Sequence, residues 1–217
     1  MWWKYLLLVA MGGMIVASFV TPAPQATIGE ASRVFYYHIP TAWICVVAYM
    51  IAMIQSIRYL RTRQERYDDR AVAAAALGTL FCFLATVTGS IFAKVTWGSF
   101  WNWDPRETSV FILLLVYGAY FSLRAAVEDE SRRAALAAVY SIFAFLTVPF
   151  LVFVVPRIMP SLHPADSVVD ESLKFTMGST VRIVFFSSLG LFTAVFLWMY
   201  SISVKLRDLE RRWRAED

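Results

Sequence analysis

Six long apolar runs, separated by connections rich in charged residues, set the pattern of this chain. Each run has roughly the 20 residues that an α-helix needs to cross about 30 Å of hydrocarbon. The pattern therefore predicts an all-α polytopic membrane protein with six transmembrane helices, forming one domain over residues 1–217. We place the spans at residues 5–20, 39–57, 71–93, 109–123, 134–155 and from 177 or 178 to about 204.

The first, second and fifth runs carry features that modify this pattern. The first resembles the apolar part of a secretory signal peptide. Trp2 and Trp3 beside Lys4 favour a permanent interfacial anchor instead, so we interpret this run as an uncut span. Residues 28–37 contain no helix breaker and predict a short interfacial helix before the second span. Pro149 lies inside the fifth run and predicts a kink, because it removes one helical hydrogen bond.

The composition supports the membrane assignment. Hydrophobic residues make up 59% of the chain, charged residues make up 17%, and the mean hydropathy is +0.58. These values exclude an ordinary soluble protein. The two cysteines, Cys45 and Cys82, lie inside apolar runs and form no Cys-x-x-Cys pair, so we expect them to pack as small apolar side chains.

The basic residues are distributed unevenly between the two sides of the predicted bundle. Placing both termini in the cytoplasm assigns 14 of the 20 Lys and Arg residues to the cytoplasmic side. Short cytoplasmic loops carry an excess of Lys and Arg, so this topology is favoured. Loops 21–38, 94–108 and 156–178 then lie outside. Membrane topology also accounts for the pI of about 9.2 without a nucleic-acid partner.

The connection from Trp97 to Thr108 is unusually rich in tryptophan. It holds Trp97, Trp101 and Trp103, together with one phenylalanine and several polar side chains. Tryptophan combines a large apolar face with a polar N–H group, so three of them can form a shelf for a flat ligand at the membrane surface. An aromatic belt at the membrane interface is the structural alternative.

The only two histidines, His38 and His163, both fall at helix ends on the predicted outer side. Haem fits this set of residues, because its iron accepts one axial nitrogen on each face and its apolar plane packs against indoles. Arg106, Lys94 and Arg157 are then available to pair with the haem propionates. For each histidine taken alone, a purely structural role is favoured, because histidines at a membrane interface often only form hydrogen bonds with the backbone.

The tryptophan-rich connection also carries a recognisable motif. Trp-Gly-x-x-Trp-x-Trp-Asp-x-Arg-x-Thr, complete from residue 97 to 108, resembles the signature of the haem-handling proteins of cytochrome c maturation. The stretches 33–43 and 161–163 and the six spans most resemble the CcmC-type family, over nearly the whole chain. The resemblance implies that haem b is the cofactor and that His38 and His163 are its axial ligands. The implied haem-contacting loop residues are Trp97, Trp101, Trp103, Asp104 and Arg106.

The resemblance further implies a location and partners. It implies a multi-pass protein of the bacterial inner membrane that holds haem at its periplasmic face and delivers it to a CcmE-like periplasmic haem chaperone. The implied companions are CcmA-like and CcmB-like transporter subunits and a small CcmD-like membrane subunit. One detail departs from the pattern: Asp104 to Thr108 reads Asp-Pro-Arg-Glu-Thr and resembles the larger haem-attachment branch, which carries Trp-Asp-Pro-Lys-Glu-Thr. The six-span architecture argues against that branch.

The sequence assigns no catalytic residue. It contains neither a nucleophilic triad pattern nor a Gly-rich phosphate loop, so ATP hydrolysis must come from another chain. We expect Asp104 to brace its loop by accepting hydrogen bonds from the backbone or from Arg106. A membrane subunit of a haem or small-solute transporter, or a structural assembly subunit without a ligand, stays open as an alternative. The few polar groups within the spans weaken the transporter interpretation.

Overall fold

The computed structural model describes residues 2–163, 168 and 175–216, and these residues form a bundle of long helices. Six helical segments are long and apolar enough to cross a membrane. The prediction of an all-α protein with six spans is therefore confirmed. The helices are α1 (Trp3–Val20), α2 (Phe35–Thr62), α3 (Glu65–Trp97), α4 (Pro105–Ala126), α5 (Glu130–Pro149), α6 (Val155–Ile158) and α7 (Ser179–Glu216).

Two helix boundaries differ from the prediction and change where important side chains lie. A 3-10 helix, Gly29–Val34, runs directly into α2, so α2 begins at Phe35 and His38 lies in its first turn, not in a loop. Helix α3 continues past the predicted end at residue 93 and includes Trp97. Gly98 then ends the helix, because it adopts a left-handed φ of 81°.

The fifth span is irregular where the sequence predicts it. Pro149 ends the regular part of α5, and a π-helical segment, Phe150–Val154, follows before α6. Proline has no N–H group to donate to the preceding turn, so the ladder of hydrogen bonds is interrupted at this point.

The core is built around the close packing of α2 against α3. A Cβ atom on Gly78 of α3 would come within 2.7 Å of the Tyr49 ring of α2, so only glycine fits there. The buried run of alanines at 73–75 allows the same close approach along the helix. Tyr49 also stacks on Tyr117 of α4, with ring centroids 3.4 Å apart. This packing fixes the register of three helices.

One end of the bundle is held by ion pairs, and we call it the charged end. Arg124, at the end of α4, forms a bidentate pair with Asp68 of α3, with both N···O distances at 2.7 Å. Arg211 of α7 pairs with Asp69 of α3 at 2.9 Å. The charged tail that the sequence places after the sixth span is therefore a continuation of helix α7.

The opposite end of the bundle carries both histidines, and we call it the histidine end. The start of α2, the end of α3, the start of α4 and the end of α6 meet here. Predicted loops 21–38 and 94–108 are described throughout. Residues 164–167 and 169–174 of predicted loop 156–178 lie outside the described residues. The assignment of this end to the outer side of the membrane stays a prediction.

Candidate functional site

His38 is held between α2 and α3 with a defined ring orientation. Its Nδ1 lies 3.1 Å from the hydroxyl oxygen of Thr88. That hydroxyl donates its own proton to the carbonyl of Leu84, at 2.8 Å, so it accepts a hydrogen bond from Nδ1–H of His38. The lone pair of the imidazole then lies on Nε2, the atom that is available as a ligand.

The ring of His38 is also pressed closely against α3. A Cβ atom built on Gly89 would lie 2.9 Å from Cε1 of His38. Any larger residue at position 89 would therefore push the imidazole away from its present position. Glycine at this position and the hydroxyl of Thr88 together set where Nε2 points.

Asp104 holds the second histidine, His163, in position through hydrogen bonds. It is the N-cap of α4 and accepts a hydrogen bond from the backbone N–H of Arg106 at 2.9 Å. The same carboxylate accepts from the Ser161 hydroxyl at 2.9 Å and from the Leu162 N–H at 2.6 Å. Its Oδ1 lies 3.1 Å from Nδ1 of His163. A single buried carboxylate thus ties segment 161–163 to the start of α4.

The protonation states follow from this geometry. Burial raises the pKa of Asp104, but the backbone N–H groups of Arg106 and Leu162 outweigh that effect, and the pKa lies below its usual value. Burial lowers the pKa of His163, and the opposing attraction of Asp104 does not cancel it. At neutral pH a neutral His163 therefore donates Nδ1–H to an ionised Asp104. Its Nε2 keeps the lone pair, as in His38.

The three tryptophans of the motif have different positions. Trp101 lines a cavity at the histidine end. Trp97, the last residue of α3, packs edge-to-face on the His163 ring with centroids 4.8 Å apart. Trp103 is 71% exposed and adopts a left-handed φ of 55°, which is a strained conformation for a bulky residue. The structure therefore places Trp101 at the cavity and Trp97 against His163, a candidate ligand, while Trp103 lies on the surface.

Both histidines line the same cavity, which has a volume of about 210 Å³. Trp101, Arg106 and Glu107 share its lining. The rest of the wall is mainly apolar, and its side chains include Phe35, Ile39, Val110, Leu151 and Val152. Two imidazoles facing one largely apolar cavity is the arrangement that a flat, axially ligated cofactor requires.

The three cations expected to be available for propionates are used differently. Lys94 donates to the carbonyl of Gly98 at 2.9 Å, and Arg157 donates to the carbonyl of Phe153 at 2.7 Å. Both therefore stabilise helix ends. Arg106 lines the cavity, and its buried Nε has no hydrogen-bond partner within the part of the chain that is described. Arg106 is thus the cation best placed to meet an acidic group of a ligand.

Sequence reasoning named Asp104 as a brace of its own loop and as a haem-contacting residue, and it gave no role to Thr88, Gly89 or Ser161. The capping pattern of Asp104 followed three residues later by Glu107 predicts the local bonds alone. A glycine beside a threonine near the end of α3 is a signal for close helix contact. It does not identify His38 as the group in contact.

Comparison with known proteins shows the family of this chain. Residues 1–216 match the family model described as heme exporter protein C. The chain is 33% identical over 191 residues to heme exporter protein C of Bradyrhizobium diazoefficiens, covering 86% of this chain and 70% of the relative. The chain belongs to the heme exporter protein C family. The Haemophilus influenzae member is 28% identical over 96% of this chain and 86% of its own length. The Escherichia coli K12 member is 27% identical over 87% and 76%.

The donor set of this family member suits haem better than a bare metal ion. Across residues 2–163, 168 and 175–216, no group of three or more His, Cys, Asp or Glu side chains is arranged to hold a metal ion. A porphyrin supplies four nitrogens itself, so its iron needs only two axial ligands from the protein. His38 and His163, each with Nδ1 engaged and a lone pair on Nε2, provide that number.

Proposed function

We propose that this protein binds haem b at the histidine end of the bundle and delivers it to a periplasmic haem chaperone during c-type cytochrome biogenesis. His38 and His163 act as the axial ligands through Nε2. The observation that carries the proposal is that two imidazoles from distant parts of the chain line one cavity, each with its Nδ1 hydrogen-bonded. Hydrogen bonds to the second ring nitrogen are the usual means of orienting a histidine ligand.

The remaining groups of the cavity hold and orient the ligand. His38 and His163 would each supply one nitrogen to a haem iron. Trp101 would offer an apolar surface to the edge of the porphyrin, and the unpaired Nε of Arg106 would pair with a propionate. Trp97 packs edge-to-face on the His163 ring and so helps to hold its orientation. The protein therefore contributes binding and orientation, with no residue assigned to bond making or breaking.

The distribution of Lys and Arg and the similarity to known proteins support the proposed location and partners. The excess of Lys and Arg on the charged end supports an inner-membrane orientation in which the histidine end faces the periplasm. The matched relatives are named heme exporter protein C, which supports a role beside ATP-driven CcmA-like and CcmB-like subunits. We further propose a CcmE-like chaperone as the acceptor and a small CcmD-like subunit as a companion.

The proposal is tested by removing each imidazole separately. Purified protein loaded with haem should show a Soret band of a six-coordinate, low-spin haem. The His38→Gly and His163→Gly variants should lose haem or change its spectrum, and added imidazole should restore part of the signal because it can occupy the vacated side. Gly118→Ala, whose added Cβ meets no atom within 4 Å, is the matched control. Unchanged spectra in both histidine variants would reject the ligand assignment.

A further inference from the structure

The two imidazoles have partners of different charge. Nδ1 of His163 faces the carboxylate of Asp104 at 3.1 Å, whereas Nδ1 of His38 faces the neutral hydroxyl of Thr88 at 3.1 Å. The side chains of His163 and Asp104 are only 18% and 1% exposed. Water therefore screens the charge of Asp104 weakly, and the electrostatic interaction with His163 is correspondingly strong.

This difference has a chemical consequence for any metal bound to Nε2. A carboxylate behind a ligating imidazole increases the basicity of that ligand. A more basic ligand donates more electron density to iron and stabilises its higher oxidation state. Hydrogen bonding around the axial ligand is one of the main means by which proteins adjust the reduction potential of haem.

We propose that Asp104 is a positioning residue for His163 and that its charge makes the site hold ferric haem more tightly than ferrous haem. This inference rests on the proposed function, in which His163 is an axial ligand. If a one-electron donor such as dithionite reduced the bound iron, the iron would lose one positive charge and its attraction to the carboxylate of Asp104 would become weaker, while no covalent bond would form or break. One-electron reduction would therefore lower the affinity of the site for haem.

Two other charged side chains, Arg106 and Glu107, line the cavity, and they act on His163 through space in opposite directions. Glu107 already accepts a hydrogen bond from the Asn102 N–H at 2.7 Å. Asp104 is the carboxylate in direct hydrogen-bond contact with a ligand ring, so its charge is the one transmitted through an imidazole to the iron.

The variant Asp104→Asn removes the charge at nearly constant size. Asparagine is a good helix N-cap and its oxygen still accepts from a ring N–H, but its NH2 group cannot accept the hydrogen bond that Leu162 N–H now donates to the carboxylate. Glu30→Gln is the matched control, because it also removes one carboxylate charge, but that carboxylate pairs with Arg33 at 2.6 Å and does not line the cavity. Asp104→Glu restores the charge and should restore the wild-type behaviour.

The measurement is a potentiometric titration of the haem-loaded full chain in detergent. Asp104→Asn should reduce the ratio of ferric to ferrous haem affinity about tenfold, which raises the midpoint by about 59 mV for one electron. Glu30→Gln should leave the midpoint close to that of the wild type. An unchanged midpoint in Asp104→Asn, or an equal shift in Glu30→Gln, would overturn the proposal.

A second measurement covers the case in which Asp104→Asn retains no haem. Titration of the unmodified protein with ferric haem and with dithionite-reduced haem gives the affinity ratio directly. Tighter ferric binding supports the proposal, and equal affinities overturn it. A wild-type protein that binds haem through both histidines but shows no dependence on oxidation state contradicts this inference alone. A wild-type protein that binds haem in neither state contradicts the proposed function as well.

Discussion

Gly89 provides the sharpest test of the geometry around His38, because an added methyl group acts on one ring. In Gly89→Ala the new Cβ would lie 2.9 Å from Cε1 of His38. Carbon atoms pack at about 3.5–4.0 Å, so the ring must move by roughly 0.6–1.1 Å. A displacement of this size directly away from α3 would lengthen the hydrogen bond to Thr88, now 3.1 Å long, beyond the range of a real hydrogen bond.

A displacement of this size moves Nε2 away from the position that an axial ligand requires. Distances between a metal and its ligands stay within about 0.2 Å of their standard values. A misplacement of a functional group by about 1 Å can lower the rate of an enzyme about a hundredfold. We expect the haem affinity of Gly89→Ala to fall between about tenfold and a hundredfold, equivalent to about 1.4–2.7 kcal/mol. Haem titration followed at the Soret band measures this change.

Two other glycines supply controls for the experiment. Gly118→Ala meets no atom within 4 Å and should bind haem as the wild type does. Gly78→Ala places a Cβ 2.7 Å from the Tyr49 ring, so it should lower thermal stability without acting on the imidazole. Wild-type haem affinity in Gly89→Ala, with the protein folded, would refute the argument that α3 positions His38.

Other side chains of the site and of the bundle allow further predictions. Trp101→Ala should weaken haem binding more than Trp103→Ala, because Trp101 lines the cavity and Trp103 is 71% exposed; equal losses in a haem titration would contradict this assignment. Arg124→Ala leaves a mostly buried carboxylate unpaired at the charged end and should lower stability by about 2–4 kcal/mol. Thermal unfolding in detergent measures this loss, and an unchanged midpoint would contradict it.

The six spans could be predicted because hydrocarbon imposes a minimum helix length and excludes charge. The helix ends could not be predicted as well, since nothing in the apolar pattern marks where a helix stops once it has left the hydrocarbon. Helix α7 continues through its charged tail, where Arg211 pairs with Asp69 of α3. Helix α3 continues to Trp97 until Gly98 supplies the left-handed residue that ends it.

The local part of the site was also within reach of sequence reasoning. A capping residue such as Asp104, followed by proline and glutamate, predicts the start of α4 and a braced loop. Its hydrogen bonds to Ser161 and Leu162 join segments more than 50 residues apart, and they depend on how the helices pack. The contact of Gly89 with His38 depends in the same way on the register of α3 against α2.

The coordination state of bound haem tests the central claim most directly. Electron paramagnetic resonance and resonance Raman spectra of the ferric haem complex distinguish two imidazole ligands from one. We predict a six-coordinate, low-spin haem that loses this signature when either His38 or His163 is replaced by glycine. A high-spin, five-coordinate haem in the wild type, or a bis-imidazole spectrum that survives both replacements, would contradict it.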